Sequence, residues 1–209
     1  MADRGAKIIV ATDNEKIAKV CREENIQYEM TRVDHQSGTD RVFEVSQKYD
    51  HPFILNVQGD EPFVNLEDLE SLMQQMEASK EDSMGTMLHK SEDIKAYTNP
   101  NVVKAVISNT NEALYFSRSA IPHYREGTKF EGFWQHIGVY AFKKSVLESF
   151  CKHKPSSLEK SEKLEQLRAL ENNIPICATI AEKPAIGIDT LEDLEEAREY
   201  FIKLHPNLD

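Results

Sequence analysis

The sequence has few cysteines, only short apolar runs and a deficit of basic residues, and each shortage excludes a class of protein. Its three cysteines, Cys21, Cys151 and Cys177, are scattered, without the spacing of metal ligands or the even number of a disulfide framework. We therefore expect reduced thiols and a cytoplasmic protein. The apolar runs are too short to span a membrane, and the N-terminal residues lack the pattern of a secretory signal.

The balance of charge is acidic. The 209 residues include 36 Asp and Glu but only 25 Lys and Arg, which gives a net charge of −11. A nucleic-acid backbone repels such a chain, so we do not expect nucleic-acid binding. A single nucleotide is not excluded, because a local cluster with a metal can oppose the overall field. The length suits one large domain, and the 40% hydrophobic content is sufficient for a core.

The first and last parts of the chain alternate between strand and helix patterns. This alternation predicts an α/β fold with three layers, in which helices cover both faces of a mostly parallel sheet. The predicted strands are 7–11, 28–31, 53–57 and 174–180, and the predicted helices are 15–25, 42–46, 66–76, 158–171 and the segment after Thr190.

The middle of the chain is instead rich in β patterns. Strand-like runs at 102–107 and 113–116 are joined by a hairpin-type turn, and a further strand is predicted at 137–142. We therefore predict a single domain with an α/β core and an inserted antiparallel β-hairpin sub-lobe that serves as a flap or a dimer surface. The core comprises 1–98 and 155–209, and the sub-lobe comprises 99–154.

Two aspartates follow apolar strand patterns. Asp60 lies in residues 58–62 (QGDEP), and Asp189 lies just before the last helix. Ligands of open α/β sheets bind beyond the carboxyl ends of strands, and carboxylates with phosphate oxygens suit Mg²⁺. A solvated β-turn at Asp60 and a helix start that favours an acid at Asp189 are the alternatives, and the pattern leaves both open.

Residues 34–41 (DHQSGTDR) are dense in small polar groups. Backbone N–H groups at a helix start that contains glycine can bind a base or a phosphate. Arg41, one turn into the helix, can add a charged donor. Taken alone, a segment of this kind is more often an ordinary polar loop.

Five further polar residues stand in segments that could reach a site. Arg118 ends a strand, where it can bind a carboxylate or phosphate or stack on a neighbouring ring. His136 and Tyr140 lie at the start of and within the 137–142 strand, and a lone histidine there is often structural. Glu165 and Gln166 fall in a charged helix, for which a solvated face is the ordinary expectation.

Several segments, taken together, are more specific than any one motif. They are 9–13 (IVATD), 30–31 with 34–41, 56–62 (NVQGDEP), 99–104 (NPNVVK), 113–122, 136–140 (HIGVY), 164–168 (LEQLR), and 187–190 with 192–194. In this order they resemble the 3-deoxy-D-manno-octulosonate cytidylyltransferases, the CMP-Kdo synthetases of Gram-negative bacteria. The resemblance covers essentially the whole chain.

The resemblance implies a nucleotide-diphospho-sugar transferase fold, which is Rossmann-like. It also implies that CTP and Kdo react to give CMP-Kdo and pyrophosphate for lipopolysaccharide biosynthesis, in a homodimer that uses the hairpin block. It implies Mg²⁺ held by Asp60 and Asp189. By motif match, the implied nucleotide-binding residues are Ser37, Gly38, Arg41 and Gln58, and the implied sugar-binding residues are Gln58, Arg118, His136, Tyr140, Glu165 and Gln166.

One departure from the family pattern is large. Family members begin with a strand and a basic, glycine-containing loop that cradles the triphosphate, whereas residues 1–6 here run directly into the equivalent of the second strand. We therefore expect this chain to lack that strand and loop. A truncated relative that only binds sugar or dimerises is thus an alternative to the enzyme, and an enzyme acting on another sugar acid is a third hypothesis.

Overall fold

The computed structural model describes residues 5–184, 187–188 and 190–204. Its strands are β1 Val10–Thr12, β2 Tyr28–Met30, β3 Phe53–Val57, β4 Met84–Ser91, β5 Lys104–Ile107, β6 Ala113–Ser117, β7 Phe133–Lys143 and β8 Ile176–Ala181. Its helices are α1 Glu15–Glu23, α2 Gly38–Ser46, α3 Leu66–Ala78, α4 Ile94–Thr98, α5 Lys144–Lys152, α6 Ser157–Glu162, α7 Gln166–Glu171 and α8 Leu191–Leu204.

Strand β7 is the centre of the main sheet, whose order is β6-β5-β7-β4-β8. Strand β4 runs antiparallel along one side of β7, while β3 and β5 share the other side and are also antiparallel to it. Parallel pairing occurs between β4 and β8 and in a separate pair of β1 and β2. The sheet is therefore mixed. The expectation of a mostly parallel sheet was wrong because the central strand β7 runs antiparallel to β3, β4 and β5.

Helices cover both faces of this sheet, as the alternating pattern predicted. Successive residues of a strand point to opposite faces. Accordingly, Phe142 of β7 packs in a cluster with Leu147 and Phe150 of α5. Its neighbour Ala141 packs in a second cluster with Leu72 and other residues of α3. The sheet is thus the middle one of three layers.

The predicted hairpin is present, and the predicted long helix at 158–171 is not. Strands β5 and β6 pair antiparallel, and Asn111 in their turn has the left-handed φ of 60°. The helix is instead divided into α6 and α7, because Lys163 adopts a left-handed conformation with φ 56° and ψ 47°. Residues 164–166 then leave the axis of α6.

Side-chain caps fix where several helices begin. The Ser37 hydroxyl accepts a hydrogen bond from the backbone of Asp40 at the start of α2. At α8, Thr190 and Asp193 exchange side-chain and backbone hydrogen bonds of 3.1 and 2.8 Å, which form a capping box at the start of the helix. Among the described residues, no helix combines the length and the apolar character that crossing a membrane requires.

Candidate active site

A cleft of about 1500 Å³ opens where β3 ends, between the start of α2, the middle of β7 and the α6–α7 junction. Most of the predicted site residues line it, namely Ser37, Gly38, Gln58, Asp60, Arg118, His136, Tyr140, Glu165 and Gln166. The structure therefore brings these residues together, although their roles stay predictions. Asp189 lies outside the described residues.

The turn after β3 presents Asp60 to solvent at the mouth of the cleft. The backbone carbonyl of Asp60 accepts a hydrogen bond of 2.9 Å from the N–H of Ile188, so the turn lies against that segment. The neighbouring Glu61 accepts a 3.0 Å bond from the N–H of Gly138 in β7. A Cβ at Gly138 would stand 3.2 Å from the same carboxylate oxygen, so glycine permits this close approach.

The start of α2 forms another wall of the cleft. The Ser37 hydroxyl donates to Asp40 Oδ2 over 2.9 Å, and the space above Gly38 is open, because a Cβ there would meet nothing within 4 Å. Arg41 is not among the residues lining the cleft. Its guanidinium instead donates to Asp13 Oδ2 over 2.8 Å and to the hydroxyl of Thr31. Residues 38–41 therefore begin a helix and do not form an ordinary polar loop. Arg41 connects α2 to the ends of β1 and β2.

Gln166 is buried and Glu165 is half-buried in the cleft wall, contrary to the ordinary expectation of a solvated face. Glu165 Oε1 accepts hydrogen bonds from Thr39 and Gln58, at 2.7 and 3.4 Å, and Gln166 Oε1 accepts one of 3.0 Å from the Tyr140 hydroxyl. Glu165 Oε2 and Gln166 Nε2 are buried without a hydrogen-bond partner among the described residues. Burial raises the pKa of Glu165, although its hydrogen bonds oppose the shift.

His136 is held as a neutral ring. Its Nε2 lies 2.9 Å from the Thr86 hydroxyl, which itself donates to the carbonyl of Val139 over 2.9 Å. Because that hydroxyl has one hydrogen, Nε2 of His136 must carry the proton, which leaves Nδ1 as an acceptor. Burial lowers the pKa of His136 to about 3. His136 is therefore structural on one side of its ring and able to accept a ligand's hydrogen bond on the other.

Arg118 makes its described hydrogen bonds to backbone oxygens rather than stacking on a ring. Its Nε, Nη1 and Nη2 donate to the carbonyls of Glu162, Pro100 and Lys163, at 2.8, 3.2 and 3.4 Å. A guanidinium has five N–H donors, so these bonds leave donors for an anionic ligand. Arg118 thus fixes the α6–α7 junction and still faces the cleft.

Lys104 is a buried residue whose importance the sequence analysis missed. Its ammonium is fully buried and donates to the carbonyls of Asn99 and Val102, at 3.0 and 2.8 Å, and to that of Arg118. Burial and the charge of Arg118 lower the pKa of Lys104. A single lysine within the apolar run at 102–107 was the signal that could have revealed it.

Arg168 is a second buried cation that the sequence analysis passed over. Its Nε and Nη2 bind the carboxylate of Glu159 at 2.9 and 2.6 Å, and its Nη1 lies 3.4 Å from Asp40 Oδ1. The guanidinium also lies 4.7 Å from the ring centre of Phe150. Arg168 therefore joins α6 and α7 to the start of α2 beneath the cleft.

The described part of the chain offers few metal ligands at this site. Among the described residues, no group of three or more His, Cys, Asp or Glu side chains is placed to hold a metal ion. Asp60 is an exposed carboxylate at the cleft mouth. Mg²⁺ usually binds through one or two carboxylates and the phosphates of a nucleotide, so a site of this kind fits a metal that arrives with its substrate.

Comparison with known proteins shows a consistent likeness. The family model described as cytidylyltransferase matches residues 2–182. A 3-deoxy-manno-octulosonate cytidylyltransferase from Elusimicrobium minutum is 41% identical over 198 residues, which cover 93% of this chain and 81% of the relative. One from Herminiimonas arsenicoxydans is 40% identical over 214 residues, covering 96% and 84% respectively.

Solved structures show the same fold. A structure of CMP:2-keto-3-deoxy-manno-octonic acid synthetase complexed with CTP superposes with a TM-score of 0.87 at 34% identity, covering 95% of this chain and 82% of that one. A putative glucose-1-phosphate thymidylyltransferase from Bacillus anthracis superposes with a TM-score of 0.63 at 13% identity, covering 97% and 77%. The second likeness concerns the fold alone, and together the two confirm the predicted α/β transferase fold.

Proposed function

Because this chain belongs to the 3-deoxy-manno-octulosonate cytidylyltransferases, we propose that it joins CTP and Kdo to give CMP-Kdo and pyrophosphate. One structural observation supports the proposal most directly. Glu165 Oε2 and Gln166 Nε2 are a buried acceptor and a buried donor without partners among the described residues, and both line the cleft. A buried polar atom without a partner is costly, and a sugar hydroxyl can satisfy each of these.

The remaining sugar-pocket residues supply complementary groups. We propose that Arg118 binds the carboxylate of the sugar acid through its remaining N–H donors. Neutral His136 offers Nδ1 to a hydroxyl, and Tyr140 holds Gln166 in place over 3.0 Å. Gln58, which reaches Glu165 over 3.4 Å, stands between the two substrates. These contacts suit a polyhydroxylated acid of the size of Kdo.

We propose that the nucleotide lies against Ser37 and Gly38, where the helix start presents backbone donors to the open space of the cleft. Arg41 supports this wall through Asp13 rather than by direct contact. Asp60, with Asp189 as a second ligand, would hold Mg²⁺. The metal supplies charge withdrawal from the phosphate oxygens when it is bound.

In the proposed reaction, a hydroxyl oxygen of the sugar acid forms a bond to the α-phosphorus of CTP and loses its proton to solvent water. The bond from that phosphorus to the bridging oxygen breaks, and pyrophosphate leaves with the bonding electrons. The side chains of the cleft orient the two substrates for in-line attack, and a dry, preorganised site lowers the barrier further.

A pyrophosphate-release assay with CTP, Kdo and Mg²⁺ tests the proposal. We expect turnover that requires all three components. Replacing Kdo with other sugar acids and comparing kcat/KM tests the substrate assignment, and a higher value for another acid would contradict it. Kdo binding in calorimetry without any turnover would contradict the enzymatic proposal and favour the sugar-binding alternative.

We also propose a cytoplasmic homodimer that associates through the β5–β6 hairpin at the edge of the main sheet. The side chain of Leu114 in this hairpin is 60% exposed, and Cys21, Cys151 and Cys177 are free thiols, as suits a reducing compartment. Light scattering of the wild type and of Leu114→Glu tests the dimer. A dimeric mass for Leu114→Glu would contradict this use of the hairpin.

A further inference from the structure

The hydroxyl of Thr39 joins the nucleotide wall of the cleft to the sugar wall. Thr39 lies in the first turn of α2, directly after Gly38, and is 1% exposed. Its Oγ1 is 2.7 Å from Glu165 Oε1 and 3.1 Å from Asn56 Nδ2. One buried atom therefore connects α2, β3 and the α6–α7 junction.

The direction of these bonds follows from the chemistry of the three groups. The Asn56 amide nitrogen can only donate, so the Thr39 oxygen accepts from it. The single hydroxyl hydrogen of Thr39 is then directed to Glu165 Oε1. Asn56 is itself 4% exposed at the end of β3, so this relay is fixed by the sheet.

The relay leaves one oxygen of Glu165 for a ligand. Oε1 accepts from Thr39 and Gln58, whereas Oε2 is buried in the cleft wall without a partner among the described residues. The carboxylate plane cannot turn without losing its shortest bond. Arg168, whose positive charge also acts on Glu165, stabilises the charged acceptor.

We propose that Thr39 is a positioning residue for sugar binding, which orients the Glu165 carboxylate so that Oε2 accepts a hydroxyl of the sugar acid. This inference rests on the proposed function and adds a residue that acts through Glu165 without touching the substrate. The relay also gives a reason for a threonine in the first turn of α2, because its hydroxyl bonds both Asn56 and Glu165.

The test compares Thr39→Val, which keeps the shape and removes the hydroxyl, with Thr39→Ser, which keeps the hydroxyl. For Thr39→Val we expect the KM for Kdo to rise about tenfold, which corresponds to the loss of one hydrogen bond to a charged group. The KM for CTP should change by less than about twofold. Thr39→Ser should restore the KM for Kdo to within about twofold of the wild type. Thr39→Ala, which needs no space for a new methyl group, repeats the test if Thr39→Val does not fold.

Thr179→Val is the matched control, because Thr179 is also a buried threonine whose hydroxyl bonds a side chain, that of Gln75, away from the cleft. It should lower the melting temperature without changing either KM. A wild-type KM for Kdo in Thr39→Val, an equal rise in both KM values, or no rescue by Thr39→Ser would each overturn the inference.

Calorimetric titration of Kdo into the same proteins separates this inference from the proposed function. If the wild type binds Kdo but releases no pyrophosphate, the proposed reaction fails, and weaker Kdo binding by Thr39→Val alone still supports the role of Thr39. If the wild type does not bind Kdo at all, both proposals fall.

Discussion

The Tyr140 hydroxyl donates a 3.0 Å hydrogen bond to Gln166 Oε1, which joins the central strand of the sheet to the first turn of α7 inside the cleft. The bond sets the orientation of the Gln166 amide, because it occupies the oxygen and leaves Nε2 as the group without a described partner. The position of the Gln166 amide, for which we propose a role in sugar binding, thus depends on a tyrosine of the core sheet.

Tyr140→Phe should weaken sugar binding. The substitution removes the bond to Gln166 and frees its amide to rotate, so we expect the KM for Kdo to rise about fivefold with little change in the KM for CTP, as for one neutral hydrogen bond. Steady-state kinetics with each substrate varied in turn measures both values. Tyr124→Phe, which removes a 2.7 Å bond to Gly132 outside the cleft, is the control and should leave both values unchanged. Equal effects of the two substitutions would contradict the role of Tyr140.

Asp60→Asn should abolish activity without unfolding the protein. The carboxylate is exposed at the cleft mouth, so we expect pyrophosphate release to fall at least about 100-fold and the melting temperature to shift by less than about 2 °C. Calorimetry of CTP with and without Mg²⁺ gives an independent measurement, in which the variant should lose the metal-dependent part of CTP binding. Asp82→Asn, at a carboxylate that is 83% exposed, is the control. Normal turnover by Asp60→Asn would show that the metal assignment is wrong.

His136 should make the protein less stable in mild acid. Burial lowers the pKa of His136 from its ordinary value of about 6.5 to about 3 in the folded state. Its stabilising contribution is therefore complete above about pH 6.5 and is lost as the pH falls towards 3, because only the unfolded chain takes up the proton. From this residue alone we expect a slope of up to about 1.4 kcal/mol per pH unit in that range. Urea unfolding of the wild type and His136→Gln between pH 7 and pH 4 measures the slope, and parallel curves would refute the prediction.

Arg168→Met should be strongly destabilising. It leaves the carboxylates of Glu159 and Asp40 without their buried cation, at a cost of about 3–5 kcal/mol in the free energy of unfolding. Arg198→Met is the matched control, because Arg198 pairs with Glu195 on the surface with a side chain that is 62% exposed. Its loss should cost less than about 1 kcal/mol. Denaturant unfolding compares the two, and similar losses would show that burial is not what makes the Arg168 pair important.

The end of the strand that leads into the cleft was predictable from local sequence. A short β-rich run followed by glycine and acidic residues predicted the end of β3, whereas the predicted helix 42–46 covers only the second half of α2, which begins at Gly38. These signals depend on neighbouring residues only. They indicated Asp60 as a candidate ligand, whereas Gln58 and Ser37 were placed in the same site only by the resemblance to the cytidylyltransferases.

Features that depend on distant contacts were not predictable in this way. Strand β4, Met84–Ser91, is buried along most of its length and mixes glycine, histidine and lysine, so it shows no alternation of polar and apolar residues. The direction of β7 depends on its pairing with β3 and β4, not on its own sequence. The burial of Glu165 and Gln166 depends on the turn at Lys163, and no glycine or proline marks that turn in the sequence.

The left-handed conformation of Lys163 determines which side chains of the following segment face the cleft. Each residue of an uninterrupted helix advances by about 100°, so the face that a side chain presents is fixed by counting from the helix start. The helical periodicity is interrupted at Lys163, so the direction of each α7 side chain does not depend on the number of residues in α6. An inserted or deleted residue within α6 would therefore turn the later side chains of α6 by about 100° and leave unchanged the face that α7 presents to the cleft, because the count of α7 starts after the break.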